Sequence, residues 1–372
     1  MNKNLMNVYG VDASKMKGTP LDVFLPETID EVKRIVTTNK RICIRGGATG
    51  LAGGAVPENN VDVILDMSKL DKISNLSGEH RLVEIEAGVI LDDLREYLYE
   101  FGLEFPVKPS SHMVCTIGGM IATDAVGNRA IKYGKTSHWI KWVEVIDCNG
   151  KLERKGITEL SDYAGLEGIT GVIVRACLKL SSVKTRTASL VKVGDLDDIV
   201  ATVREYKRNT SVSMIEFLDK GISKKIGLED TYHLIIEYED DSGKFKGRDY
   251  DKLLAKRDEV YPLIASDGFV RIEDPKIMLD KFPKLMRWLE DRKIPTFGHI
   301  GVGIIHPCFD YNQEKCIPEM MKVVKRLGGA ISGEHGIGIL KKAFVEFNDK
   351  KILENVKKRT DTLSKFNMGK VI

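Results

Sequence analysis

The feature that most constrains this chain is a glycine-rich loop, "RGGATGLAGG" at residues 45–54, which directly follows the short apolar segment "RICI". Five of the ten residues are glycine. In such a loop consecutive backbone N–H groups can point inward and bind phosphate oxygens, whereas side chains would block the approach. The loop matches neither G-x-G-x-x-G nor G-x-x-x-x-G-K-[ST], so the usual nucleotide fingerprints do not apply. Taken alone, it fits a phosphate cradle and a tight turn at a sheet edge equally well.

Three further stretches share this character: "PSSHMVCTIGGMIATDAVG" (109–127), "YGKTSHWI" (133–140) and "GLEGITGVIV" (165–174). Each is rich in glycine or small residues and lies beside a predicted strand. A single phosphate would need only one such connection. Several of them in one region indicate an extended cofactor that lies across the ends of several strands.

The chain length of 372 residues suits about two domains. Short apolar strands alternate with turns and a few helices up to about residue 180. There, "PETIDEVKRIV" (26–36) begins a helix with a capping box, and Asn149-Gly150 turns a hairpin. From about residue 183 longer strands and charged helices follow, so we place a domain boundary near residue 182. The expected fold class is α+β.

Two histidines, His299 and His306, lie seven residues apart in the apolar stretch "GHIGVGIIHP". Buried core histidines would explain the pair when it is taken alone. A second motif, "ISGEHGIGILKK" (331–342), adds Glu334 and His335 between glycines, which by itself fits a loop with a surface ion pair. Together, two neutral imidazoles and one carboxylate form an adequate ligand set for Zn²⁺, Mn²⁺ or Fe²⁺. Gly301 and Gly303 would allow the bend that brings both histidines to one point.

Composition narrows the class of protein. The net charge of +3 gives no case for nucleic acid, and no apolar run reaches the roughly 18 residues that a membrane span needs. The N-terminus lacks the features of a signal peptide, so we expect a cytoplasmic protein, peripheral to a membrane only through a partner. The six cysteines are scattered without a C-x-x-C pair, which argues against an iron–sulfur cluster or zinc ribbon within this chain.

The order RGG-x-TGL-x-GG, then PSS…TIGG, then G-x-E-G-x-x-G resembles the FAD-binding domain of the vanillyl-alcohol-oxidase (PCMH) type. The resemblance is strongest to the branch of glycolate oxidase flavin subunits, D-lactate dehydrogenases and D-2-hydroxyglutarate dehydrogenases. It implies an FAD-binding domain at 1–182 and an α+β cap (substrate) domain, shortened here, at 183–330. A C-terminal catalytic loop and helical segment at 331–372 would pack back on the flavin domain.

The resemblance also implies which residues contact FAD. Because relatives that attach the flavin covalently often use a histidine where Thr49 stands, non-covalent FAD is favoured. Asp124 stands where the family usually has asparagine, and this leaves its role open. The implied cofactor-binding residues are Arg45, Gly46, Gly47, Ala48, Thr49, Gly50, Pro109, Ser110, Thr116, Gly118, Gly119, Ala122, Asp124, Gly171 and Val172.

In the hydroxy-acid dehydrogenase branch the pattern H-x-G-D-G-N-x-H is followed by S-G-E-H-G. The resemblance therefore assigns His299, His306 and Glu334 to a divalent metal and His335 to general-base catalysis. Val302 replaces the aspartate of that pattern and Ile304 replaces its asparagine. Either change could remove support for a ligand or a flavin contact.

Arg257 could match a family arginine that holds the substrate carboxylate, although Leu254 stands where that family has a tryptophan three residues earlier. The residues themselves favour a solvated arginine on a helix surface. Lys341 or Lys342 could assist instead.

These parts predict an FAD-dependent dehydrogenase that oxidises a small D-2-hydroxy acid, D-lactate or glycolate first, to the 2-oxo acid. The divalent metal would act as a Lewis acid, His335 would take the hydroxyl proton, and hydride would pass to flavin N5. Electrons would go on to a separate acceptor: an iron–sulfur subunit, a quinone or an electron-transfer flavoprotein. A homodimer is possible, and the sequence leaves the oligomeric state undecided. The alternatives are an FAD-bearing electron-transfer or structural subunit without substrate turnover and, less well supported by the motifs, a nicotinamide-dependent dehydrogenase.

Overall fold

The computed structural model describes residues 3–372, and its mixture of helices and sheets confirms the predicted α+β class. The strands are β1 Asp22–Phe24, β2 Ile42–Arg45, β3 Val63–Asp66, β4 Ile73–Ser77, β5 Leu82–Glu86, β6 Leu103–Glu104, β7 Ile140–Ile146, β8 Leu152–Gly156, β9 Val172–Lys179, β10 Ser181–Ser182, β11 Thr187–Val193, β12 Val212–Leu218, β13 Tyr232–Tyr238, β14 Arg271–Ile272, β15 Thr296–Gly298 and β16 His306–Phe309. The helices are α1 Lys3–Tyr9, α2 Ile29–Thr38, α3 Leu91–Tyr99, α4 Ile117–Thr123, α5 Ala130–Tyr133, α6 Leu196–Tyr206, α7 Lys220–Lys225, α8 Gly247–Asp258, α9 Val260–Ser266, α10 Phe282–Glu290, α11 Ile317–Arg326 and α12 Phe347–Thr360.

The chain divides into two compact units. The first unit comprises the residues up to Ala125 together with Lys135–Val183 and Glu334–Ile372, and the second comprises Val126–Gly134 and Lys184–Gly333. These divisions lie one residue from the boundary predicted at 182 and three from that predicted at 330. The short segment Val126–Gly134 differs from the expectation, because it belongs to the second unit although both of its neighbours along the chain belong to the first. Residues 1 and 2 of the predicted first domain lie outside the described residues.

The first unit contains two main sheets. A parallel sheet has the order β1-β3-β2, and an antiparallel sheet has the order β4-β5-β9-β7-β8. Helix α2 buries Val32, Ile35 and Val36 in the core of the parallel sheet. Helices α3 and α4 contribute their apolar faces to the core that contains β5, β7 and β9.

Local sequence signals explain several of these elements. Thr28 caps α2 and accepts a hydrogen bond from the backbone of Glu31, as in the predicted capping box. The reciprocal bond differs by one residue, because the Glu31 carboxylate accepts from the amide of Glu27 and not from that of Thr28. The predicted hairpin is β7–β8, which turns at Asn149-Gly150 with Gly150 at φ +82°.

The second unit is built on a six-stranded sheet of order β11-β13-β12-β15-β16-β14, in which the pairs are antiparallel. The two long strands β12 and β13 are buried along their whole length. Phe217 of β12 packs edge-on against Phe282 of α10, with ring centroids 5.1 Å apart. This places β12 at the centre of the unit, beside the short strands that carry the two histidines.

Among residues 3–372, none of the helices combines the length and the apolar composition needed to cross a membrane.

Candidate active site

The glycine-rich loop that follows β2 presents a run of unused donors. Within the described part of the chain, none of the nine backbone N–H groups of residues 46–54 donates a hydrogen bond. The loop is partly buried, with Ala52 only 1% exposed. Buried backbone N–H groups nearly always have a partner, so this run fits an anionic ligand such as a pyrophosphate. The residues present therefore fit the predicted cofactor.

Close packing around the loop explains the small size of several of its residues. A Cβ on Gly46 would overlap the Thr116 hydroxyl, and one on Gly47 would overlap the carbonyl of Val114. The loop of 45–54 thus packs directly on the second glycine-rich stretch (109–127), where Thr116 caps α4 and accepts from the Gly119 amide. By contrast, a Cβ on Gly50 would meet no atom within 4 Å. Gly50 leaves open space beside the unused amides.

Other residues predicted to bind the cofactor stabilise the structure around this loop. Arg45 donates to the carbonyls of Tyr9 and Val11, and so fixes the start of the loop. Asp124 accepts from the Ser137 amide at 2.9 Å and pairs with Lys135 at 3.4 Å. These contacts give the unexpected aspartate a structural role, and Lys135 offsets its charge.

Among the remaining predicted contacts, a Cβ on Gly118 would lie 2.6 Å from that of Ala87, and one on Gly171 would lie 2.6 Å from Val145. Val172 is fully buried, and Ala122 accepts from the Glu167 amide through its carbonyl.

Within the first unit, hydrogen bonds hold the residues that follow Glu334 and His335 beside this loop. Glu167 accepts from the amides of Ile337 and Gly338, at 2.6 and 2.9 Å. Burial raises the pKa of Glu167 above its ordinary value, while the two amides oppose that shift. The amides of Ile339 and Leu340 donate to the carbonyl of Ala52 inside the loop. The sequence analysis did not single out Glu167 as a functional residue.

The end of the chain contributes to the same region. Lys370 donates to the carbonyl of Gly54 at 2.8 Å, and Asn367 bridges the Ile44 amide and the Glu167 carbonyl. The segment that follows His335 is therefore held against the loop of 45–54 by hydrogen bonds to the Ala52 carbonyl. Lys341 is also almost fully buried, at 2% exposure, whereas Lys342 donates to the carbonyl of Gly369.

The two histidines of the second unit lie side by side, and the chain bends between them at Gly303, one of the two glycines expected to allow the bend. β15 ends at Gly298, a 3₁₀ turn spans Ile300–Val302, and β16 begins at His306. Gly298 at φ +151° and Gly303 at φ +77° adopt backbone conformations that a side chain would strain, and a Cβ on Gly298 would also crowd Ile305. The imidazoles are 5% and 4% exposed, and their centroids lie 5.1 Å apart in an edge-on arrangement.

His299 is held by a residue that the sequence analysis did not identify. Its Nδ1 donates to Oε1 of Glu216, and Oε2 of Glu216 accepts from Nε and Nη2 of Arg257, at 2.8 and 2.6 Å. Burial would raise the pKa of Glu216, but Arg257 and His299 outweigh burial and lower it to about 2. Arg257 itself is 4% exposed, so the alternative of a solvated surface arginine is wrong.

Glu334 completes the candidate ligand group. It is bonded directly to Gly333, the last residue of the second unit, and the Gly333 amide donates to Asp274. His299, His306 and Glu334 each offer one ligand atom, and these atoms lie within 4.8 Å of one another. Nε2 of His335 lies 3.4 Å from Oε1 of Glu334. This donor set of two imidazoles and one carboxylate fits a divalent cation such as Zn²⁺, Mn²⁺ or Fe²⁺.

The two departures from the family pattern have different surroundings. Ile304 is buried at 2% exposure, and a Cβ on Gly333 would lie 2.6 Å from its side chain. Ile304 therefore packs under the backbone that leads to Glu334. Val302 lies at the end of the 3₁₀ turn and donates through its amide to the carbonyl of His299. Apolar packing thus stands where the family pattern has polar side chains.

Comparison with known proteins identifies two domain types in the chain. Residues 20–156 match the model of the FAD binding domain, and residues 248–371 match that of the FAD linked oxidases, C-terminal domain. The chain is 28% identical to the glycolate oxidase subunit GlcD of Bacillus subtilis, over 98% of this chain and 92% of that protein. It is 28% identical to a D-lactate dehydrogenase of Archaeoglobus fulgidus (94% and 91% covered) and 24% to a D-2-hydroxyglutarate dehydrogenase of Stutzerimonas stutzeri (92% and 88%). The chain therefore combines a PCMH-type FAD-binding domain with the C-terminal domain of the FAD-linked oxidases, and it is an FAD-linked oxidoreductase similar to the glycolate oxidase, D-lactate dehydrogenase and D-2-hydroxyglutarate dehydrogenase proteins.

Proposed function

We propose that this FAD-linked oxidoreductase oxidises a small D-2-hydroxy acid, with D-lactate and glycolate as the first candidates, to the 2-oxo acid. The observation that carries the proposal is the group of His299, His306 and Glu334 with His335 beside it. Two imidazoles, a carboxylate and a further imidazole are the parts that a metal-assisted oxidation of a hydroxyl group requires. Relatives with the same two domain types are named for such acids.

FAD would be held without a covalent bond. The nine unused amides of residues 46–54 support this assignment for the pyrophosphate, and Thr49 offers no histidine for attachment. Lys370 fixes the Gly54 carbonyl, and Glu167 holds residues 337–338 beside the loop, so the loop is ordered before the cofactor binds. Such preorganisation reduces the entropy that cofactor binding would otherwise lose.

The divalent cation would be held by His299, His306 and Glu334. When bound, FAD supplies an acceptor for the hydride of the substrate Cα, and the cation supplies a Lewis acid for the substrate hydroxyl and carboxylate. The protein supplies two neutral ligands and one anionic ligand. Glu334 is the charged member of this set, so it should contribute more to cation affinity than a neutral replacement could.

His335 would take the proton of the substrate hydroxyl. Its Nε2 lies 3.4 Å from Oε1 of Glu334, so the positive charge that forms on the imidazole would be stabilised by a neighbouring carboxylate. Gly333 and Gly336 flank the pair, and a Cβ on either would collide with Ile304 or Glu167. This packing limits the positions that His335 can take.

Each turnover would leave two electrons on the flavin, and we propose that they pass to a separate acceptor. An iron–sulfur subunit, a quinone or an electron-transfer flavoprotein would each serve. The buried Ile304, in place of a polar residue, favours a second candidate: a flavin-bearing electron-transfer subunit without substrate turnover.

Anaerobic reduction of the bound flavin separates the two candidates. The purified holoprotein is mixed with D-lactate, glycolate, D-2-hydroxyglutarate or L-lactate, and bleaching of the flavin absorbance is recorded. Metal content is measured on the same sample by plasma mass spectrometry. We expect bleaching by at least one D-acid or by glycolate, and none by L-lactate. Flavin that none of these acids reduces, in protein that retains a divalent metal, would favour the electron-transfer subunit.

A further inference from the structure

A chain of three buried side chains leads to one of the two histidines within the second unit. Arg257 of α8 is 4% exposed, Glu216 of β12 is fully buried and His299 is 5% exposed. β12 and β15 pair antiparallel with Phe217 opposite Gly298, so one step further along this register Glu216 stands opposite His299. The sheet itself therefore aims the carboxylate at the imidazole.

We propose that Glu216 and Arg257 are positioning residues for the cation site: Arg257 holds the Glu216 carboxylate, and Glu216 orients His299 so that Nε2 is presented to the cation. This inference rests on the proposed metal site, but it assigns Arg257 a role different from substrate binding. It also assigns a role to Glu216, which the sequence motifs do not mark.

The direction of the hydrogen bond decides which nitrogen is free to bind a cation. A carboxylate only accepts, so the proton in the bond between Glu216 and His299 belongs to Nδ1. A neutral imidazole with its proton on Nδ1 carries the lone pair on Nε2. Histidines that bind metals commonly donate their other nitrogen to a carboxylate in this way, which fixes the tautomer and the ring orientation.

Arg257 determines which oxygen of Glu216 serves the histidine. Its Nε and Nη2 both donate to Oε2, so Oε1 is the oxygen left for His299. The guanidinium carbon lies 5.4 Å from the centroid of the Phe297 ring, which limits its rotation. Lysine would keep the positive charge but would lose the fixed geometry in which one planar group directs two donors at the same oxygen. Geometry as well as charge is therefore expected to matter at position 257.

A second arginine–glutamate pair in the same sheet provides a matched control. Glu237 of β13 is fully buried and accepts from Nε and Nη2 of Arg129, at 2.7 and 3.0 Å. Ser213 and Tyr250 donate their hydroxyls to it, and Nε of Arg186 lies 3.9 Å from its Oε1, so none of these neighbours is an imidazole. Changing Glu237 removes a buried carboxylate from the same unit without touching His299.

The test measures cation affinity in FAD-loaded protein, by competition for Zn²⁺ and Mn²⁺ with a coloured chelator. The variants are Glu216→Gln, Arg257→Lys, Arg257→Met and the double variant Glu216→Gln/Arg257→Met, with Glu237→Gln as the control. We expect Glu216→Gln and Arg257→Met each to weaken cation binding about 10- to 100-fold, as loss of such support usually does. Arg257→Lys should recover part of that loss, and Glu237→Gln should bind the cation as wild type does. If Glu216→Gln does not fold, Arg257→Lys and Arg257→Met still decide the question.

The double variant tests whether the two residues act through one path. Because both would act on the same imidazole, the double variant should lose little more affinity than either single variant. Additive losses, or unchanged cation affinity in both single variants, would overturn the proposal. If Arg257→Lys raises the KM for the hydroxy acid and leaves the cation affinity unchanged, Arg257 binds the substrate carboxylate instead.

A measurement on the metal-free protein separates this inference from the proposed function. Nitrogen-15 NMR of labelled histidine should show His299 protonated on Nδ1 in the wild type, and a mixture of tautomers in Glu216→Gln. Wild-type protein that binds no cation would refute the metal site of the proposed function. The same tautomer in both proteins would refute the positioning role.

Discussion

Replacing Gly50 with alanine should weaken FAD binding without weakening the fold. A Cβ at this position would meet no atom within 4 Å, and Gly50 does not adopt a left-handed backbone. Under these conditions a glycine-to-alanine change stabilises a protein by about 0.4–1 kcal/mol, because the unfolded chain loses freedom. The same open space lies among the nine unused amides of 46–54, where the new methyl group would stand in the path of a phosphate oxygen.

The loss of affinity can be estimated from the hydrogen bonds at risk. A hydrogen bond to a charged group contributes about 1.5–3 kcal/mol, so the loss of one amide–phosphate bond should raise the Kd for FAD about 10- to 150-fold. Apoprotein would be titrated with FAD, and the loss of free-flavin fluorescence would be followed. Stability would be measured separately by urea denaturation of the apoprotein.

Two other glycines provide the comparison. A Cβ on Gly78, in the turn between β4 and β5, also meets no atom within 4 Å, so Gly78→Ala should leave the Kd for FAD unchanged. Gly47→Ala should destabilise the apoprotein itself, since its Cβ would overlap the carbonyl of Val114. If Gly50→Ala binds FAD as tightly as Gly78→Ala does, the loop is a structural turn and the assignment of its amides to the pyrophosphate is incorrect.

Three further outcomes are expected. His299→Ala and His306→Ala should each remove the divalent metal and most flavin reduction while FAD stays bound, measured as metal and flavin content; full metal occupancy in both would refute the ligand assignment. His335→Ala should keep metal and FAD but slow flavin reduction about 10²- to 10⁴-fold in stopped flow, whereas Glu334→Gln should lose metal; the opposite pattern would reverse the two roles. Burial raises the pKa of Asp219 from 3.8 to about 6, although hydrogen bonds from the amides of Ile222 and Thr296 oppose the shift. Between about pH 4 and pH 6 the folded protein therefore keeps a proton on Asp219 that the unfolded chain has lost. The Asp219 contribution to the free energy of unfolding should therefore fall by about 3 kcal/mol as pH rises from below 4 to above 6; chemical denaturation of Asp219→Asn should lack this decline, and equal slopes would contradict it.

Several elements of the fold could be predicted because their causes are local. Thr28 caps α2 through the backbone amide of Glu31, three residues further on, and Asn149-Gly150 turns a hairpin between adjacent strands. The close approach of His299 and His306 was also predictable, because the residues between and beside them include the glycines that the turn requires. In each case the interacting groups are close in sequence, so little of the chain had to be placed to predict them.

Other parts of the site depend on residues that are far apart along the chain. Glu216 is 83 residues from His299, and nothing in "SMIEFLDK" distinguishes its glutamate except that it interrupts an apolar run. Glu167 is 170 residues from Ile337, whose backbone amide donates a hydrogen bond to the Glu167 carboxylate. The small segment Val126–Gly134 joins the second unit through contacts such as that between Arg129 and Glu237, 108 residues apart. Sequence alone could not assign partners to these groups.

The sequence by itself indicated an extended cofactor and a candidate metal site, because the glycine loops and the two histidine motifs are short patterns whose residue types can bind phosphate and metal. The resemblance of these motifs to a known family implied that the cofactor is FAD. Only the tertiary structure decided what holds those residues in place. It paired Glu216 with His299 and used Arg257 to fix that carboxylate. It also placed the residues after His335 against the loop, through the hydrogen bonds from Ile339 and Leu340 to Ala52. The physical reason is that a buried charge must find an opposite charge or a donor, and which one it finds depends on how distant strands come together.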